Sequence, residues 1–505
     1  MDDGTATNAD SSSLLKNPTV SKHTLQLLLT ASDTSSLENS LESLTETAKS
    51  HGGRSELASK KVLAAVLEVL EHHNHNHDII ALCFKLLRNL CAGDIENQNS
   101  FIEHNGVAVV SDILRSEVGS SSSSSYSLGL VRWGIQVLAN VCLAGREHQR
   151  AVWEELYPEG FVLLAKVSSK ETCDPLCMVI YTCCDGNPEW SQILSSYDGW
   201  PVMAAIVKTA SSAGFAEDWL KLLLSRICLK ESQLPVLFPK LQYVDDPLGE
   251  EDTESKDGQF SSEQAFLLRI LSEILSERLE DVTISTDTAL FVYGIFKKSI
   301  RILEHAGRGK SGLPSGSPEV DVLGYSLTIL RDICAQDNAR GNRDYAESVV
   351  DVLFSYGFIE LLLSLLRDLE PPTTIRKVMK QFENQDGIGA SSSSLKPCPY
   401  RGFRRDIVAV IGNCAYRRKH AQNEIRQQNG ILLLLQQCVI DEDNPFLKEW
   451  GIWCVRNMLE GNEENRRVVE QLEYQGTAEV PELAALGLRV EVDPSTMRAK
   501  LVNVT

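Results

Sequence analysis

Apolar residues in this chain recur with helical spacing far more often than they alternate. The segment WGIWCVRNMLEGNEENRRVV (residues 450–469) shows the pattern: an apolar helix with Arg456-Asn457 near its end and a polar break at Gly461. Three other segments keep its register: LCFKLLRNLCAGDIENQNSFI (82–102), WGIQVLANVCLAGREHQRAV (133–152) and DIVAVIGNCAYRRKHAQNEI (406–425). Asn89, Asn140, Asn413 and Asn457 align, followed by Gln98, Gln149 and Gln422, then by Phe101, Val152, Ile425 and Val469, while Asn97 falls on Asn465. Asparagine is a poor residue inside a helix because its amide competes for backbone groups, so the recurrence asks for a reason.

The spacing identifies the architecture. Asn413 and Asn457 lie 44 residues apart and Asn89 and Asn140 lie 51 apart, the longer gap holding GSSSSSSYS at 119–127. HEAT and armadillo units repeat at about 40–47 residues. A further copy, YSLTILRDICAQDNARGN from Tyr325, places Asp332 at the Asn position, 81 residues before Asn413, with PPTTIRKV and GIGASSSSLKP as a long insertion between them. DPLCMVIYTCCDGNPEW and DWLKLLLSRICLKESQLPVLF read as helices of units that lack the Asn. The pattern predicts about six or seven units in an all-α, armadillo-like helical-repeat superhelix (α-solenoid). Its predicted divisions are a disordered start (1–20), N-terminal repeats (21–244), an acidic linker (245–263), middle repeats (264–376), a C-terminal repeat domain (377–475) and a tail (476–505). The tail's LRVEVDPSTMRAKLVNV (488–504) alternates about a turn and predicts a short β-hairpin.

Composition adds the chemistry of partners. The 505 residues are 43% hydrophobic and 23% charged, with a net charge of −20, which argues against a nucleic-acid surface and favours basic protein partners. Apolar runs such as VLAAVL (62–67) are too short to span a membrane. The start, MDDGTATNADSSS, resembles neither a signal nor a transit peptide, so a cytoplasmic location and no membrane insertion are expected. The 13 cysteines sit mostly in apolar helical contexts and read as buried thiols.

No catalytic constellation is found, and no cofactor is implied. AGRGKSG around Lys310 lacks the first Gly of a phosphate loop, since residue 304 is Glu. EHHNHNHD, with His72, His73, His75 and His77, reads as an inter-helix loop with metal binding as the sharper alternative. Cys173, Cys177, Cys183 and Cys184 lack the spacing of structural zinc. That leaves Asn89, Asn140, Asn413, Trp453, Arg456 and Asn457 as candidates for a peptide groove, in which amides bond an extended backbone and Trp453 packs a side chain. The competing reading gives each Asn to the backbone of a neighbouring repeat.

LLRNLCAGDIENQNSFIEHNGVAVVSDIL is similar to an armadillo repeat, and GFRRDIVAVIGNCAYRRKHAQNEIRQQNG with DEDNPFLKEWGIWCVRNMLEGNEENR resembles the C-terminal domain of the ataxin-10 family. The resemblance implies a non-enzymatic cytoplasmic scaffold, able to self-associate, linked to cell division, cytokinesis and signalling through partners. A nuclear-import-type receptor for basic peptides is the alternative, though only Asn457 carries the Trp four residues earlier; Asn89, Asn140 and Asn413 have Lys85, Gln136 and Ala409 there. Metal (copper) handling is a third reading, resting on the histidine cluster.

Overall fold

The structure, a computed structural model, describes residues 34–73, 75–119, 125–243, 259–277, 282–340, 348–377, 395–472, 488–492 and 499–503, with Leu28 and Met379. The expected disordered start (1–20) and most of the acidic linker lie outside the described residues, as do most of the two serine runs.

The helices come in threes. A short first helix, a tight turn, a second helix and a third one recur, as in Ile95–Glu103, Gly106–Gly119 and Ser125–Cys142, or Lys419–Gln427, Gly430–Leu435 and Leu447–Leu459. Asn105 and Asn429 make the turn at φ 55 and 54, a left-handed conformation that Asn tolerates better than most residues. Glycine must follow, because a Cβ at Gly106 or Gly430 would lie 2.7 Å from Phe101 or 2.9 Å from Ile425. The aligned Phe101 and Ile425 are thus the apolar floor on which each turn closes.

The third helices form the spine. They are α1 (Thr34–Thr47), α2 (His77–Leu90), α3 (Ser125–Cys142), α4 (Lys170–Cys184), α5 (Asp218–Leu224), α6 (Ser262–Glu277), α7 (Pro318–Arg340), α8 (Phe403–Ala415) and α9 (Leu447–Leu459). α5 runs on into a π-helical turn, Ser225–Lys230. The chain divides into two compact units at Val349/Val350. In the first, each spine helix from α1 to α7 packs on the next; in the second, α8 packs on α9.

Close packing explains the repeated Trp-Gly-Ile. A Cβ at Gly134 would come within 2.7 Å of Leu114 and 3.0 Å of Phe84, and one at Gly451, in the same register, within 2.6 Å of the Gln437 carbonyl. The expected hairpin is present: β1 (Leu488–Val492) and β2 (Ala499–Asn503) pair antiparallel with Val490 opposite Leu501. Its Asp-Pro-Ser-Thr turn lies outside the described residues. The fold is an all-α, armadillo-like helical repeat with that one two-stranded addition among the described residues.

Candidate interaction site

The recurrent asparagines lie near the C-terminal ends of the spine helices, where carbonyls run out of helical partners. Asn140 Nδ2 donates to the Arg88 carbonyl at 2.8 Å, Asn457 Nδ2 to Gly412 at 3.0 Å and Asn89 Nδ2 to Thr45 at 3.3 Å. The acceptor always lies in the preceding spine helix, and Arg88 and Gly412 immediately precede the aligned Asn89 and Asn413. Asn413 holds the same place on α8 and is half-buried. Asp332 cannot donate, and its bond runs the other way: Ser276 Oγ of α6 donates to its Oδ2 at 2.8 Å.

The positions that follow are fasteners too, a role that their alignment in the sequence did not reveal. Gln98 Nε2 donates to the Cys91 carbonyl at 3.0 Å and to that of Asn140 at 2.8 Å. Gln422 does the same with Ala415 at 3.2 Å and Asn457 at 2.8 Å, and also reaches Glu460 at 3.1 Å. One glutamine side chain therefore ties together the C-terminal ends of two successive spine helices. Gln149 keeps the local half of the pattern, to Cys142 at 3.3 Å. One residue earlier, Asn97 bonds the Arg54 carbonyl at 3.3 Å and Asn465 that of Gln422 at 3.0 Å.

His148 holds that position in the third copy. It is buried and hydrogen-bonded to the backbone of Gln98, and burial lowers its pKa against the opposing pull of Glu147 and of that bond. The unfolded chain therefore takes up a proton at a higher pH than the folded one, so stability falls as pH drops through the usual imidazole range. His148→Asn, which introduces the residue found at Asn97 and Asn465, is expected to fold normally and to lose less stability between about pH 7.5 and 5.5 than the parent. Urea midpoints at the two pH values check this; an equal loss in both proteins contradicts it.

Trp453 and Arg456 are arranged differently from the asparagines. Trp453 is 53% exposed, and the Arg456 guanidinium lies 5.0 Å from its ring centroid, a cation–π pair on open surface. Beside them, Ile452 is also 53% exposed, although its counterparts Phe84 and Val408 are fully covered. Val455 and Leu459 are half-buried where Leu87, Ile411, Cys91 and Ala415 are buried. Internal spine helices bury this stripe under their successor; α9 presents it uncovered.

The other sequence candidates resolve into local structure. His72 Nδ1 bonds the Glu68 carbonyl at 2.7 Å and His77 Nε2 pairs with Glu117 at 3.0 Å. No three His, Cys, Asp or Glu side chains among the described residues are grouped to hold a metal ion. The cysteines carry free thiols, all buried except the half-buried Cys438, and burial pushes Cys184 and Cys228 up to about 12. Such thiols are poor ligands and nucleophiles.

Comparison with known proteins places this architecture. Residues 403–501 match the profile of the spinocerebellar ataxia type 10 protein domain, which spans α8, α9 and the hairpin. Human ataxin-10 is 24% identical over 475 residues, covering 89% of this chain and 91% of its own length. An ataxin-10 homolog of Dictyostelium discoideum is 39% identical over 92 residues, 18% of this chain and 15% of that protein. Among solved structures, a designed armadillo repeat protein aligns with 50% of this chain and 98% of its own at 18% identity, with a TM-score of 0.32. The chain is thus similar to the ataxin-10 proteins over most of its length, and its C-terminal repeats carry the domain that the profile describes.

Proposed function

We propose that the protein is a non-enzymatic scaffold that acts through bound proteins and through association with its own copies. The single observation supporting this is the uncovered stripe on α9, where Ile452, Trp453, Val455 and Leu459 keep the apolar character of an internal junction with no further spine helix over it among the described residues. Solenoids ordinarily end in a unit with a polar outer face, because an open junction is sticky. A second copy suits this face. The face is apolar at its centre, and α9 with Glu463–Glu470 carries both Lys448, Arg456, Arg466, Arg467 and Glu449, Glu460, Glu463, Glu464, so a two-fold pairing can match opposite charges. Elsewhere the net charge of −20 favours partners with basic surfaces. The family resemblance supports a cytoplasmic setting in cell division, cytokinesis and signalling.

Sedimentation velocity over a concentration series tests the reading. The wild-type chain is expected to associate as concentration rises, and an Ile452→Glu/Trp453→Glu variant to stay monomeric with an unchanged helical circular dichroism spectrum. A wild-type monomer at every concentration, or a variant that associates like the parent, overturns it.

A further inference from the structure

The amide ladder is interrupted in the middle of the first unit. Cys142 lies two residues after Asn140, and its Sγ is 3.7 Å from that of Cys183 on the next spine helix. The residue matching Asn140 on α4 is therefore Tyr181. Cys228 repeats the spacing on the π-helical turn and puts Arg226 in the Asn position there. Where two successive units lack the asparagine, the spine opens into a pocket of about 540 Å³ lined by Tyr181, Asp185, Arg226, Lys230, Ser232 and Ser285, among others. That volume is in the range of small-ligand sites, and single π-turns often mark functional positions.

The polar groups in this pocket are arranged for an anion. Arg226 is nine-tenths buried and rigidly held: its Nε donates to Ser191 Oγ at 2.9 Å and its Nη1 to Asp185 Oδ1 at 3.0 Å. Its Nη2 makes no hydrogen bond among the described residues, and Arg226 belongs to the pocket lining. Lys230, exposed at the rim, forms no ion pair among the described residues. Ser232 and Ser285 approach each other to 2.9 Å, and Ser285 caps the helix Thr286–Ser299, accepting from Thr288 N–H at 3.2 Å. A helix of 14 residues thus begins at the pocket wall and adds the partial positive charge of its first turn. Among the lining side chains Asp185 offsets one of the two cations and leaves one positive charge, with Glu231 and the exposed Asp287 of the helix's first turn adjoining the lining in sequence.

We propose that this pocket binds a phosphorylated serine or threonine side chain of a protein partner. A phosphate offers enough acceptor oxygens for Arg226 Nη2, Lys230 and the serine hydroxyls together, and the pocket is larger than a carboxylate side chain needs. The site is separate from the open face of α9, so it stands or falls independently of self-association.

Fluorescence anisotropy with the full chain tests the proposal, using labelled degenerate peptide pools whose central residue is phosphoserine, serine or glutamate. The phosphoserine pool is expected to bind about tenfold more tightly than the serine pool, with added salt weakening it. Lys230→Gln with Ser232→Ala, both at the pocket edge, is expected to remove most of that preference while circular dichroism stays unchanged, and Arg226→Lys to remove it as well. Equal binding of all three pools overturns the proposal, and so does a phosphoserine preference that survives in the Lys230→Gln/Ser232→Ala variant. A glutamate pool that binds as well as phosphoserine overturns the choice of phosphate.

Discussion

Gln422→Leu is expected to destabilise the C-terminal unit by about 2–4 kcal/mol, well beyond an average surface or helix substitution. Leucine is close to glutamine in size and keeps the helix, so the change isolates the amide. In the native protein that amide donates to the carbonyls of Ala415, Asn457 and Glu460, and its Oε1 accepts from Asn462 Nδ2 at 3.3 Å. The carbonyls belong to the ends of α8 and α9, where no further helical turn is available to satisfy them. With leucine at this position they would be buried beside an apolar side chain. Asn457→Ala removes a single inter-helix bond, to Gly412, and its Oδ1 has no partner in the native state, so its expected cost is about 1 kcal/mol. Urea unfolding of the full chain, with hydrogen exchange in residues 403–470 assigning the transition, should rank the two in that order.

Arg404→Ala is expected to be more damaging still, at about 3–5 kcal/mol. Arg404 is only 1% exposed, and burial lowers its pKa although the charged form remains surrounded by acceptors. Nη1 donates to Gln437 Oε1 at 3.0 Å, Nη2 to the Glu370 carbonyl, and the backbone N–H to Asn444 Oδ1 at 3.0 Å. One residue thus joins three segments that precede α9. Truncation leaves the Gln437 and Glu370 oxygens without the guanidinium, in a cavity the size of the lost side chain. Arg404→Lys should recover little, since an ammonium cannot span both acceptors in a planar fork. Thermal unfolding of the three proteins checks the order.

The helical repeat was legible in the sequence because burial fixes the spacing of apolar residues and a tight turn fixes Asn105-Gly106 and Asn429-Gly430. The alignment of Asn and Gln positions was legible for the same reason. Their chemistry was not, because spacing along one helix does not say whether an amide meets a neighbouring helix or an open groove. The structure turns the Nδ2 groups of Asn89, Asn140 and Asn457 to the preceding spine helix. A receptor for basic peptides would need those donors facing outward. Trp453 looked like a groove residue from its distance to Asn457, but its exposure reflects the uncovered face of α9. Arg404 was hidden in a basic pair, Arg404-Arg405, where only the first side chain is buried. Tyr181 and Arg226 could have been found from the cysteines that follow Asn89, Asn140 and Asp332 by two residues, Cys91, Cys142 and Cys334, matched by Cys183 and Cys228.

The central claim is that the recurrent amides couple neighbouring repeats. Native-state hydrogen exchange of Asn140→Ala tests it most directly, because Asn140 lies on α3 while its acceptor, the Arg88 carbonyl, lies on α2. Coupling predicts faster exchange at the C-terminal ends of both helices, with the larger share of the change crossing to residues 84–90 of α2. Exchange that changes only within the substituted turn of α3, with α2 as protected as in the parent, would contradict the account.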